Sequence, residues 1–281
     1  MTILITVISL FLAGAAASPA LPKMNSGADL RICGPAFLVP IAEGLAEELK
    51  EESESLDIKI APAGEEEGLK ALLEGQCDAV MITRPLSEAE FKSAVDKGIL
   101  PVYHPIGFSS LAVIVYPEND VRNIRINSLR KVYQNRIRNW KYLGWQDWPI
   151  RPITPPGNTA AGQLFTRLVM EDDDWLRKYH RYVDRDELTV LHKVQVNWGG
   201  IGYVGPLYAG PHVRVPAVEG IEYTPENVRS GKYPLAAPVF FVTRGYPKTG
   251  SYLRVFVTLP LSRAGQKIIA EGNLVPFTDY P

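Results

Sequence analysis

Few side chains in this sequence are of a type that could do chemistry, and their spacing argues against catalysis. His104, His180, His192 and His212 are scattered, without the short intervals that bring two imidazoles onto one metal ion. Ser109-Ser110 sits in no G-x-S-x-G elbow, and neither Cys33 nor Cys77 heads a nucleophile motif. The glycine-rich Gly199-Gly200-Ile201-Gly202 is not followed by the Lys-Ser/Thr pair that a phosphate loop requires. Met170-Glu171-Asp172-Asp173-Asp174 reads as a solvated helix end beside Arg177-Lys178, because three consecutive Asp side chains on a helix point in different directions. Trp140, Trp145 and Trp148 offer flat apolar faces that could stack on a sugar, but packing a loop is the commoner use of such rings.

The elements that would position a site alternate between strand and helix. Asp29 to Cys33 reads as a strand, Ile41 to Lys50 as an amphipathic helix, and Asp57 to Ala61 as a strand. Glu65 to Glu74 follows as a helix with Leu69, Leu72 and Leu73 on one face and Gly75 as its stop, and then comes a strand from Asp78 to Ile82. This order predicts a parallel sheet covered by helices, an α/β fold. Leu111 to Tyr116 is a continuous apolar strand ended by Pro117. Further on, Ser128 to Tyr133 reads as a helix, Ile150 to Thr154 as a strand and Thr159 to Val169 as a helix.

At 281 residues, with 46% hydrophobic and 22% charged, the chain has the balance of a soluble globular protein with ample core. Thirty basic side chains against thirty-one acidic ones leave a net charge of −1, so no global field favours nucleic acid. The first twenty-two residues carry no charged side chain. Their apolar run from Ile3 to Gly14, followed by Ala15-Ala16-Ala17, reads as a signal peptide over residues 1–20 and places the protein in the periplasm or outside the cell. Cys33 is expected at the exit of one strand and Cys77 at the start of another. If the strands are parallel neighbours, the sulfurs lie near opposite sheet ends, and buried free thiols are the expectation.

Between Gly199 and Phe277 three phrases occur in fixed order: GGIGYVGPLYAG, YTPENVRSGKYPLAAPVFFVTRG and LSRAGQKIIAEGNLVPF. Together they resemble the phosphate-binding solute receptors that feed ABC importers, a branch of the type II periplasmic binding proteins. The resemblance implies two α/β lobes joined by a two-strand hinge with a cleft between them. Lobe one would be residues 24–108 plus 240–281 and lobe two residues 109–239, with crossings near Phe108–Leu111 and Ala237–Phe241. It further implies a monomer that is not an enzyme, needs no cofactor, holds a small-molecule or anionic ligand in the cleft and meets an ABC permease.

Four ligand loops follow from the same resemblance. The family's G-S-S/T-T-x-x-P reads Gly34-Pro35-Ala36-Phe37-Leu38-Val39-Pro40, so two hydroxyl positions have become Ala36 and Phe37. The family's G-S-G-x-G reads Gly64-Glu65-Glu66-Glu67-Gly68. Carboxylates stabilise a helix start, but a Glu65 aimed into the cleft would repel a dianion. The third loop survives as Ile82-Thr83-Arg84-Pro85-Leu86. Arg84 there either pairs with an anionic ligand or pairs with Glu65 and leaves the cleft neutral. The fourth, R-x-x-G-S-G-T-R in relatives, falls on Pro155 to Gly162 and keeps only Thr159 as a hydroxyl.

The resemblance therefore assigns ligand contacts to Gly34, Ala36, Phe37, Glu65, Thr83, Arg84 and Thr159. Arg84 would anchor charge, Thr83 and Thr159 would donate hydroxyls, and the backbone at Ala36 and Phe37 would cap the ligand. A desolvated dianion short of donors costs several kcal/mol, so the altered loops point to a ligand other than phosphate, neutral or amine-bearing. The alternative is a ligand-free interaction or regulatory protein on the same fold.

Overall fold

The computed structural model describes residues 30–52, 55–179 and 183–278. The expected signal peptide and His180 lie outside these described residues. Strand and helix alternate as expected through β1 (Leu30–Gly34), α1 (Val39–Glu52), β2 (Ile58–Pro62), α2 (Glu65–Leu73), β3 (Ala79–Ile82), α3 (Glu88–Asp96) and β4 (Pro101–Ser110). The middle of the chain supplies β5 (Ala112–Val115), β6 (Asn123–Ile124), α4 (Ile126–Tyr133), β7 (Arg151–Pro152), α5 (Ala160–Phe165) and α6 (Trp175–Tyr179). It continues through α7 (Glu187–Val196), β8 (Gly200–Val204), β9 (Ala217–Val218) and α8 (Pro225–Arg229). β10 (Ala236–Arg244), α9 (Tyr252–Thr258) and α10 (Arg263–Glu271) close the chain.

Five strands form the first sheet in the order β2-β1-β3-β10-β4, and three form the second in the order β5-β8-β7. β1 runs parallel to β2 and β3, as the alternating pattern requires, but β10 is antiparallel to both β3 and β4, so the sheet is mixed. Alternation along each strand decides which core a side chain joins. Ile32, Met81 and Phe241 face the α1 side with Leu45 and Phe256, whereas Cys33, Val80 and Val242 face α2 with Leu69 and Leu72. In the second sheet Val113 and Val115 pack with Tyr133, Phe165 and Trp175, while Ala112 and Ile114 pack with Val190 and Val194 of α7.

The two sheets are joined where β4 hands over to β5 and where β10 begins. There the Leu111 N–H donates to the Leu235 carbonyl at 3.0 Å, and Ala236 pairs with Ser110.

Cys33 and Cys77 are buried and free, as expected, but their expected separation is corrected. Gly75, at φ 74°, turns the chain back under α2, so the Cys77 N–H donates to Ala71 O at 3.4 Å and its thiol to Gly68 O at 3.7 Å. That turn places Cys77 near Cys33, so that the two thiols perturb each other's titration. A side chain on Gly68 would meet Val80 at 2.7 Å, so glycine is what lets α2 lie this close to the sheet.

Candidate functional site

Two junctions of the first sheet and one helix of the second face a common cleft. Glu65 opens α2, where carboxylates complement the exposed N–H groups and the positive helix end. Thr83 follows the last residue of β3 and is buried. Here the Glu65 side chain turns onto the third loop. Its Oε1 accepts the Thr83 N–H at 2.6 Å and the Thr83 hydroxyl at 2.7 Å, while Oε2 lies 3.2 Å from Arg84 Nε. Charge-assisted bonds of this kind are roughly twice as strong as neutral ones.

Arg84 is also held from its other side. Its Nη1 and Nη2 each donate to a Glu90 oxygen at 2.7 Å, a bidentate fork. Glu90 in turn accepts the Ser87 N–H at 2.7 Å and closes the capping box of α3. The Arg84 fork, helped by Ser87, pulls the Glu90 carboxyl down to about 2, and Glu90 raises Arg84 above its ordinary value. Arg84 therefore carries two carboxylates of its own chain.

The opposite wall supplies a cation that the sequence reading missed. The helix expected over Thr159–Val169 is α only to Phe165 and continues as a π turn from Thr166 to Met170. Such turns insert a residue into the helical ladder and re-aim side chains, often at functional sites. Trp175 Nε1 donates to Thr166 Oγ1 at 2.8 Å, and Phe165 stacks on Tyr203 with ring centroids 3.9 Å apart, which pins this segment. Arg167 consequently reaches across the cleft. Its Nη1 donates to Thr83 Oγ1 at 2.9 Å and its Nη2 to Thr83 O at 3.0 Å. Among the described residues Arg167 has no ion pair, and burial lowers its pKa, with Glu65 opposing the shift.

The cleft has a volume of about 670 Å³, within the range of pockets for small organic ligands. Glu65, Glu66, Glu67 and Asp173 line it against Arg84 and Arg167, four carboxylates facing two guanidiniums. Phe37, Glu65, Thr83 and Arg84 of the expected set are brought together there. Gly34, Ala36 and Thr159 do not line the cleft. Gly34 is a packing position, since a Cβ would meet Met81 Cβ at 2.7 Å. Ala36 lies in a short 3-10 turn from Ala36 to Leu38. The Thr159 hydroxyl is used to cap α5, accepting the Gly162 N–H at 3.0 Å and donating to Pro156 O at 2.9 Å. Trp140 is fully buried and donates its Nε1–H to Gly199 O at 3.1 Å, which makes it a packing residue. Among the described residues no group of His, Cys, Asp and Glu is arranged to hold a metal ion.

An α/β protein whose two sheets flank a polar, solute-sized cleft has the form of a binding protein, and residues 22–263 match the family model described as the PBP superfamily domain. The chain belongs to that superfamily. The phosphate-binding protein PstS of Bacillus subtilis is 26% identical to it over 256 residues, which cover 91% of this chain and 83% of that protein. Among solved structures, a putative phosphate ABC transporter substrate-binding protein from Clostridium perfringens, with bound phosphate, is 27% identical with a TM-score of 0.63. It covers 88% of this chain and 98% of that one. The ABC-type phosphate transport receptor from Vibrio cholerae superposes with a TM-score of 0.75 at 20% identity, over 88% of this chain and 99% of that one, a likeness of fold. The resemblance carried by the three C-terminal phrases agrees with these matches. By name these relatives are binding proteins and transport receptors rather than enzymes.

Proposed function

We propose that this protein is the extracytoplasmic solute receptor of an ABC importer, and that its cleft takes a small neutral or amine-bearing solute rather than phosphate. Residues 24–108 with 240–281 and residues 109–239 act as the two lobes, closing on the ligand before the closed form meets a permease. One observation carries the choice of ligand: the Glu65 carboxylate lies inside the cleft on the donors of Thr83 and beside Arg84. A phosphate entering there would meet a fixed negative charge and find its hydrogen-bond donors already taken. The excess of carboxylates along the walls favours a solute with a positive group.

The ligand-free alternative requires that Arg84 be neutralised internally and that Phe37 fill the gap. The first condition matches the Glu65 and Glu90 pairs, but about 670 Å³ of cleft stays open beside Phe37, which favours a ligand. The test is a thermal-shift screen of the purified protein against amines, amino acids, sugars and inorganic anions, followed by calorimetry on any hit. Stabilisation by an amine-bearing or neutral solute supports the proposal. Stabilisation by inorganic anions alone, or by no solute at all, contradicts it.

A further inference from the structure

We infer that Glu65 is an internal occupant of a latent oxyanion site, a tethered carboxylate standing where a free oxyanion would otherwise bind. The inference rests on reading the cleft as a solute site. Three donors converge on this one carboxylate, and a fourth stands behind them. The Thr83 N–H and hydroxyl reach the same oxygen, Oε1, at 2.6 and 2.7 Å, and Arg84 Nε lies 3.2 Å from the other. Behind them Arg167 donates to the Thr83 hydroxyl oxygen at 2.9 Å, which orients that hydroxyl's proton toward Glu65. A backbone N–H, a hydroxyl and guanidinium groups from two elements together make an arrangement that recognises an oxyanion of any source.

The charge balance around the site points the same way. Arg84 is shared between Glu65 and Glu90, and Glu90 alone engages both its terminal nitrogens. Arg167, partly desolvated in the cleft wall, has no carboxylate partner among the described residues and is attracted by Glu65 through Thr83. Once Glu65 is removed, the Thr83 donors and the Arg84 Nε are freed at the N-terminus of the nine-residue helix α2, with Arg167 the nearest cation not held by a carboxylate. A tethered competitor of this kind acts at high effective concentration, so its removal should tighten oxyanion binding by about a hundredfold. Glu65 is thus the specificity-determining residue of the cleft, and its loss converts the site to one for inorganic oxyanions, inorganic phosphate being the probe.

The experiment titrates wild type, Glu65→Ala and the double variant Glu65→Ala/Arg167→Met with inorganic phosphate, and separately with sulfate, by calorimetry at low salt. Melting curves verify that each protein is folded. Glu65→Gln, which removes the charge and keeps the shape, replaces Glu65→Ala if that variant does not fold. The expected result is measurable binding in Glu65→Ala, at least about a hundredfold tighter than the detection limit allows for wild type, and its loss in the double variant. A folded Glu65→Ala or Glu65→Gln protein that binds phosphate and sulfate no better than wild type overturns the inference while leaving the wider receptor reading intact. Tight phosphate binding by wild type itself overturns the receptor's proposed ligand class, whatever the variants do.

Discussion

Arg167 and Thr83 join opposite walls of the cleft. The guanidinium spans the Thr83 hydroxyl and carbonyl at 2.9 and 3.0 Å. Thr83 passes the contact on to Glu65, so the chain Arg167–Thr83–Glu65 acts as a latch between the two walls.

Replacing Arg167 by Met should therefore loosen the protein without unfolding it. The lost charged hydrogen bonds, worth about 1.5–3 kcal/mol each, are offset by the relieved desolvation of a buried cation. The expected net change in unfolding free energy is within about 1 kcal/mol, together with a larger radius of gyration in solution scattering. An unchanged scattering profile would show that Arg167 does not hold the walls together.

Glu90 provides a pH-dependent contribution with a definite sign. Its carboxyl is held at about 2 in the folded protein, below the ordinary value near 4.5. The stability it provides is complete above the ordinary value and is lost as pH falls toward 2. Glu90→Gln should cost about 1 kcal/mol at pH 7, allowing for solvent screening, and almost nothing near pH 2. Urea denaturation of both proteins across that window checks it; a pH-independent difference contradicts the pairing with Arg84.

His104 should act at a higher pH. It is buried, and it shares a 2.9 Å hydrogen bond with Thr243, whose hydroxyl donates to Gly245 O, so the imidazole donates through Nε2–H. Burial and the charge of Arg254 lower its pKa, so the unfolded chain takes up the proton first. Stability is then lost as pH falls below the ordinary histidine value of about 6.5. His104→Gln is expected to flatten the stability profile between about pH 5 and 7; an unaltered profile would show that His104 is not the titrating group.

The paired thiols should differ in reactivity. Interaction with Cys77 lowers Cys33, while interaction with Cys33 and burial push Cys77 up. Slow alkylation of native protein, read by peptide mass spectrometry, should label Cys33 before Cys77. The reverse order, or rapid labelling of both, contradicts the buried arrangement.

Much of the fold was legible because β1, β2 and β3 alternate with α1 and α2 in a pattern that periodicity reports directly. The third loop, Thr83-Arg84-Pro85, was legible as a motif, and the pairing of Arg84 with Glu65 was one of two readings that its charge allowed. Glu90 was hidden because S-x-x-E from Ser87 to Glu90 reads as a helix cap, and the same carboxylate serves both the cap and Arg84. Arg167 was hidden because periodicity continues through Leu164, Phe165 and Leu168 as if the helix were regular. The sequence hint was a cation set within that apolar run, and the π turn is what aims it into the cleft. The Cys33–Cys77 contact was missed because strand register alone was considered, whereas the Gly75 turn relocates Cys77 beneath α2.

The most direct test of the central claim, that Glu65 keeps phosphate out of the cleft, is calorimetric titration of wild-type residues 21–281 with phosphate at low salt. No measurable heat of binding is expected. Submicromolar binding that disappears in Arg84→Ala would contradict it, because those donors would then be serving phosphate despite the carboxylate beside them.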